Sequence, residues 1–298
     1  MSPTGHLTAE VATHWAASAQ YFFLDALMAD PGIQYGQIAF RGGTSLHFSW
    51  RSPRFSEDLD FLLARDVGDI HAIVKKAGEK VAEAFRAEDP RFAIALKDKT
   101  RQEERMIAHE LRVSHPDFIG KTHIKVEFWR VTPEYLEHYP VALRSPIQPG
   151  QMVSRISNPV PAATLETAYC DKLTAFASRP YLKWRDIYDL WWIGTQTDAK
   201  LEVSSVTRQF LHNVSAYQTI GELPPAQALR KFLENNPEEL VKKADPDLRR
   251  WVPAALWEKM HPRVTTEMVR YTGHALQTVA DAIENKVSKL SLNNVPHD

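Results

Sequence analysis

Apolar residues recur at helical spacing over residues 8–30. Val11, Trp15, Ala19, Phe22 and Ala26 form one stripe, which Phe23 and Leu27 widen. Thr8 stands where an N-cap belongs, and Pro31-Gly32 closes the helix. The pattern then shortens. Ile38-Ala39-Phe40 predicts a buried strand, Gly42-Gly43 a turn, and Thr44-Ser45-Leu46 the opening of a second helix. A loop with Arg51 and Arg54 leads to a second strand at 58–63. Residues 69–86 read as an amphipathic helix, followed by strand-like pieces at 92–96, 106–113 and 124–129. The order β-α-β-α-β-β-β predicts an α+β fold, with a mixed sheet and helices on one face.

Between 132 and 161 the pattern breaks, with prolines at 133, 140, 146, 149, 159 and 161. This stretch predicts a semi-rigid connection with a short strand at 152–156. Beyond it the spacing is helical nearly to the end. Two domains are expected, 1–156 and a helical 157–298.

Composition narrows the class without naming a ligand. The 298 residues are 44% hydrophobic and 24% charged, ordinary values for a globular protein. A net charge of -1 gives no global reason to expect nucleic acid, so any basic surface must be local. The single cysteine, Cys170, excludes an internal disulfide framework and predicts a packed thiol in a reducing cytoplasm. The sequence carries no 18-residue apolar run, and no membrane association is expected. His109, His115 and His123 lack a zinc-ligand spacing and read as surface or loop residues.

The chemistry begins at 58–63. Side chains alternate across a strand, so Asp58 and Asp60 share a face. Two carboxylates ~4 Å apart repel by about 4 kcal/mol at an effective dielectric of ~20. A proton or a cation relieves this, and hard oxygen ligands suit Mg²⁺ together with substrate phosphates. The Gly42-Gly43 turn lets the backbone approach a phosphate, and the helix after it offers unpaired N–H groups. If extended backbone continues back to Ser56, its hydroxyl faces the same way. A phosphate on Ser56 would then repel a triphosphate; a turn-capping serine is the other reading.

Strand, Gly-Gly, helix, strand and Asp-x-Asp together resemble the polymerase-β-type nucleotidyltransferase superfamily. GGTSL followed by Arg54-Phe55-Ser56-Glu57-Asp58-Leu59-Asp60-Phe61 resembles the AbiEii/AbiGii toxin family, which includes MenT-type toxins. The interval from Gly43 to Asp58 is long for that family. A second block, Asp171-Lys172-Leu173-Thr174-Ala175-Phe176 and then Arg185-Asp186-Ile187-Tyr188-Asp189-Leu190, also resembles it.

The resemblance implies a Mg²⁺- and NTP-dependent nucleotidyltransferase working by a two-metal mechanism. Asp58, Asp60 and Glu127 would hold the metal. Gly42, Gly43, Thr44, Ser45 and Ser56 would line the nucleotide. Lys172 would meet the phosphates, with Arg185, Asp186 and Asp189 around it. It also implies an RNA acceptor such as the 3′ end of tRNA, and a cognate antitoxin. Other readings stay open. The acceptor could be a protein or small-molecule hydroxyl, or the chain could bind nucleotide without turnover. Glu127 also reads as a solvated acid beside Lys125, and Lys172 as a snorkelling lysine. Arg185 and Asp189 also read as an i,i+4 surface pair. The basic spots at 242–243 and 249–250, near Trp251, suggest RNA contact with a stacking ring.

Overall fold

Phe40, Phe61 and Phe128 stack across three neighbouring strands, with ring centroids 5.2 and 5.0 Å apart. All three are fully buried, and this ladder is the centre of a seven-stranded mixed sheet. The computed structural model describes residues 5–102, 104–149, 157–217 and 223–292. The chain divides into two compact units, Met1–Thr164 and Leu165–Asp298.

The first unit contains β1 (Gly5–His6), α1 (Ala9–Met28), β2 (Ile38–Arg41), α2 (Gly42–Trp50), β3 (Leu59–Ala64) and α3 (Ile70–Glu88). It continues with β4 (Ala93–Asp98), β5 (Met106–Ser114), β6 (Phe118–Ile119), β7 (Thr122–Val131), α4 (Pro133–Glu137), β8 (Val141–Arg144) and β9 (Val160–Ala163). The large sheet has the order β4-β5-β7-β3-β2-β9-β8, while β1 and β6 pair separately. The caps follow the sequence pattern. Thr8 accepts from Val11 N at the start of α1, and Asp69 accepts from Ala72 N at the start of α3.

Register sorts the sheet into two faces. On one, Phe40, Phe61, Phe128 and Ile107 stand in line. Helix α3 packs here, since Gly78 lies against Leu96, and α1 joins it through Thr122 Oγ1 donating to Ala12 O at 3.2 Å. The α+β expectation therefore holds, with both long helices on this face.

Several details differ from the sequence reading. The proline-rich stretch is not simply a connector, because it contains α4, β8 and β9. Pro161 sits inside β9, which pairs with β2 on one side and β8 on the other. The two compact units accordingly divide after Thr164, where the sequence pattern put the boundary at 156. The predicted strand at 152–156 lies outside the described residues. Of the three histidines read as surface or loop residues, His123 is exposed, His115 is in the loop after β5 but buried, and His109 is buried within β5. His115 packs among Trp15, Phe92 and Phe118.

The second unit is helical: α5 (Leu165–Ser178), α6 (Trp184–Gly194), α7 (Val203–Tyr217), α8 (Pro225–Arg230), α9 (Pro237–Lys242), α10 (Ala244–Leu248), α11 (Ala254–Met260) and α12 (Arg263–Leu292). Trp184 anchors it, donating from Nε1 to Leu240 O at 3.0 Å while its ring is buried. Cys170 is buried and its thiol is pushed well up by desolvation, so it packs rather than reacts. Trp251 is also buried, with the guanidinium groups of Arg185 and Arg250 at 4.6 and 4.8 Å from its ring. With its ring buried and covered, Trp251 does not offer the stacking surface that was expected beside the basic spots. Among the described residues, no helix is long and apolar enough to cross a membrane.

Candidate active site

On the sheet face away from α1 and α3, one row reads Arg41, Asp60, Glu127, Ala108 across four strands. Asp60 and Glu127 are direct neighbours on parallel strands, where backbones lie ~4.8 Å apart. Both are half-buried, while Phe61 and Phe128 on the other face are fully buried. The alternation that fills the core with phenylalanine therefore presents the two acids together. Lys125 and Trp129 flank Glu127 on this face, and Trp129 is 40% exposed. Asp58 stands just before β3, half-buried, with its carbonyl accepting from Thr44 Oγ1.

The glycine turn is packed against these groups. Gly42 has φ 79°, a left-handed conformation that L side chains rarely adopt. A Cβ there would also lie 2.5 Å from Asp60 Oδ2. A Cβ on Gly43 would collide with the Arg54 guanidinium and lie 3.0 Å from Ser56 Oγ. The bare backbone thus lets Asp60, Arg54 and Ser56 close in around the start of α2. Arg41, the N-cap of α2, makes no side-chain capping bond, and a helix start of this kind has anion-binding character.

The hydroxyls of α2 point inward. Thr44 bonds to Asp58 O, and Ser45 Oγ donates to Phe40 O at 3.1 Å; both residues are buried. Their side chains fix the turn, so backbone N–H groups are what this segment offers a phosphate. Ser56 is buried and lies before β3, yet its Oγ still reaches Gly43.

One positioning residue was not legible in the sequence. Gln20, fully buried on α1, donates from Nε2 to Ser56 O at 2.9 Å and to Glu57 O at 2.8 Å. It clamps the loop that delivers Asp58. A polar residue inside the apolar stripe of α1 was the available signal.

In the second unit, Lys172 on α5 is nearly buried between two acids of α6. Its Nζ lies 2.9 Å from Asp186 Oδ1 and 2.7 Å from Asp189 Oδ2. Arg179 pairs with the other Asp186 oxygen, a partner the sequence reading passed over. Asp189 is fully buried and Asp186 nearly so, which excludes a merely snorkelling lysine. Arg185 lies on the Trp251 ring, and it is Lys172 that pairs with Asp189.

Comparison with known proteins gives a family and a fold. The family model described as "Nucleotidyl transferase AbiEii toxin, Type IV TA system" matches residues 26–270. Among solved structures, MenT4, a nucleotidyltransferase toxin from Mycobacterium tuberculosis H37Rv, is similar at 19% identity and TM-score 0.57. That match covers 92% of this chain and 86% of MenT4. A proposed nucleotidyltransferase from H. pylori is similar at 17% identity and TM-score 0.50, covering 94% of this chain and 98% of that one. These likenesses speak for the fold. No curated protein gives a significant match.

Proposed function

This chain belongs to the AbiEii nucleotidyl transferase toxin family of type IV toxin–antitoxin systems, and on that premise we propose that it transfers a nucleoside monophosphate from an NTP to an RNA acceptor such as the 3′ end of tRNA. The observation that carries the reading is the in-register pairing of Asp60 with Glu127 beside the Gly42 turn.

The donors suit Mg²⁺, since Asp60 and Glu127 on one sheet face, with Asp58 just before β3, give hard oxygens near the start of an anion-binding helix. Asp58, Asp60 and Glu127 are the residues that would hold it, and its chemistry when bound is to neutralise charge on the attacking and leaving oxygens. The N–H groups at the start of α2 bind phosphate oxygens, which the absence of a Cβ at Gly42 and Gly43 permits. In the second unit, Lys172 is the cation we assign to nucleotide phosphate, with Asp186 and Asp189 orienting its ammonium. The acceptor hydroxyl gives up its proton to solvent as its oxygen bonds to the α-phosphorus, the bond to the bridging oxygen breaks, and pyrophosphate leaves. Positioning and charge stabilisation suffice for such a transfer, so no nucleophilic side chain is required. A cognate antitoxin would restrain this activity in the cytoplasm.

Incubation with labelled NTPs, Mg²⁺ and total tRNA tests the proposal. Label in RNA is expected. Label confined to protein or a small molecule, or no transfer by folded enzyme, overturns the RNA acceptor. Expression without a partner should arrest bacterial growth, and the Asp60→Asn form should not.

A further inference from the structure

The face of the sheet that packs α3 carries a second cluster of ligating groups. His109 on β5 pairs in register with Asp98, the last residue of β4. His71, in the first turn of α3, comes down onto both. Its Nδ1 is 3.4 Å from Asp98 Oδ2, and its ring centroid is 5.1 Å from that of His109. One ligand atom from each of the three lies within 4.8 Å of the other two. Among the described residues, no other such trio is found.

Two further features distinguish this cluster from a chance surface pair. First, His109 is 4% exposed and its Nδ1 has no hydrogen-bond partner. An orphaned buried polar atom is costly and calls for an explanation. Second, the Asp98 carboxylate is already oriented. Its Oδ1 accepts from Thr100 N at 2.8 Å, which turns Oδ2 toward His71. Thr100 is fixed in turn, because its Oγ1 accepts from Ala108 N at 3.1 Å. An acid held by a backbone N–H is the outer-shell arrangement typical of metal ligands.

We propose that His71, Asp98 and His109 form a binding site for a first-row transition metal, best matched by Zn²⁺, that clips the start of α3 to the β4–β5 edge. Two imidazoles and one carboxylate suit Zn²⁺, Co²⁺ or Ni²⁺, whereas Mg²⁺ prefers oxygen alone. His71 and Asp98 are partly exposed, so water can complete the coordination. Val126 and Glu127 are consecutive on β7, and His109 pairs with Val126. The imidazole site and the carboxylate site thus lie on opposite faces of one sheet. They are selective for different metals.

The test uses the full chain after chelator treatment. Zn²⁺ titration against a chromogenic chelator should show one tight site, and Co²⁺ should give a d–d absorption band displaced by Zn²⁺. Saturating Zn²⁺ should raise Tm by several degrees. His71→Ala and Asp98→Asn, both at partly exposed positions, should weaken binding by about 10- to 100-fold or more. Each should remove the Tm shift while leaving the metal-free Tm close to wild type. Asp60→Asn should bind Zn²⁺ as wild type does. Absence of micromolar binding overturns the proposal. So does binding that survives both His71→Ala and Asp98→Asn, or binding lost in Asp60→Asn.

Discussion

Gly42 and Asp60 are in contact in a way that only glycine permits. A Cβ on Gly42 would lie 2.5 Å from Asp60 Oδ2, and the backbone there has φ 79°. The conformation that makes the turn and the space that holds the carboxylate depend on the same missing atom.

Gly42→Ala should therefore harm activity more than stability. Left-handed backbone at a non-glycine costs ~1–2 kcal/mol, a loss of a few degrees in Tm for a chain of this size. The methyl group would also push Asp60 from its place. A misplacement of ~1 Å can cost about 100-fold in rate. Calorimetry and nucleotide transfer on the same preparation separate the two effects.

Gln20→Leu should loosen the loop before Asp58. The substitution keeps the volume of a fully buried side chain but leaves the carbonyls of Ser56 and Glu57 without their donor. An unsatisfied buried acceptor costs ~1–3 kcal/mol. Tm should fall, and kcat should fall with little change in KM for the NTP. Faster amide exchange across residues 56–60 would identify the loop as the source. A uniform change in exchange across the first unit would point to general destabilisation.

How much of this was legible beforehand follows from the reach of each signal. Local signals read well. The Thr8 and Asp69 ends of helices and the alternation in 124–129 depend on neighbours in sequence, and they appear in the fold as read. The strand Val160–Ala163 did not read, because Pro161 is a local strand breaker whose cost is met by pairing with β2 and β8. His109 read as a surface or loop residue because no short spacing marks it. Its partners His71 and Asp98 come from another helix and another strand. The pairing of Asp60 with Glu127 needed the register of two parallel strands distant in sequence, which no local pattern contains. Resemblance suggested that pair where spacing could not.

Lys172 and Asp189 should behave as a coupled pair. Replacing Lys172 by Met leaves the fully buried Asp189 without its 2.7 Å cation. Removing one partner of a buried ion pair costs ~3–5 kcal/mol, so Lys172→Met should lower Tm sharply. Adding Asp189→Asn to that variant should recover much of the loss. If Lys172 also meets nucleotide phosphate, transfer stays low in the double variant although its stability returns. Activity recovering with stability would mean that the lysine is structural only.

Acid stability should depend on Glu110. This carboxylate accepts from Arg112 Nε and from His123 Nδ1, each at 2.8 Å, and its pKa is held down to about 2 from 4.5, with the His123 bond as the first cause. A depressed acid stabilises the fold above its unfolded value and loses that contribution as pH falls through its folded value. The window therefore runs from about 4.5 down to about 2. Melting curves across it should fall more steeply for wild type than for Glu110→Gln. Parallel curves would show that the cluster adds nothing to the folded state.

Neutralising either of the two central acids should have a small effect on stability and a large one on transfer. Asp60 stands between Arg41 on β2 and Glu127 on β7. Asp60→Asn relieves a repulsion but gives up an attraction, and the two nearly cancel. Glu127 stands between Asp60 and Ala108, with Lys125 on the same face. Cross-strand charge pairs are worth ~0.2–1 kcal/mol, so both variants should melt within a few degrees of the wild type. Both should abolish nucleotide transfer if these oxygens hold Mg²⁺. Adding Mg²⁺ should then stabilise the wild type by mass action and neither variant. Glu127→Gln with full activity, or with an undiminished Mg²⁺ shift in Tm, would remove Glu127 from the metal site and leave Asp58 and Asp60 as its acids.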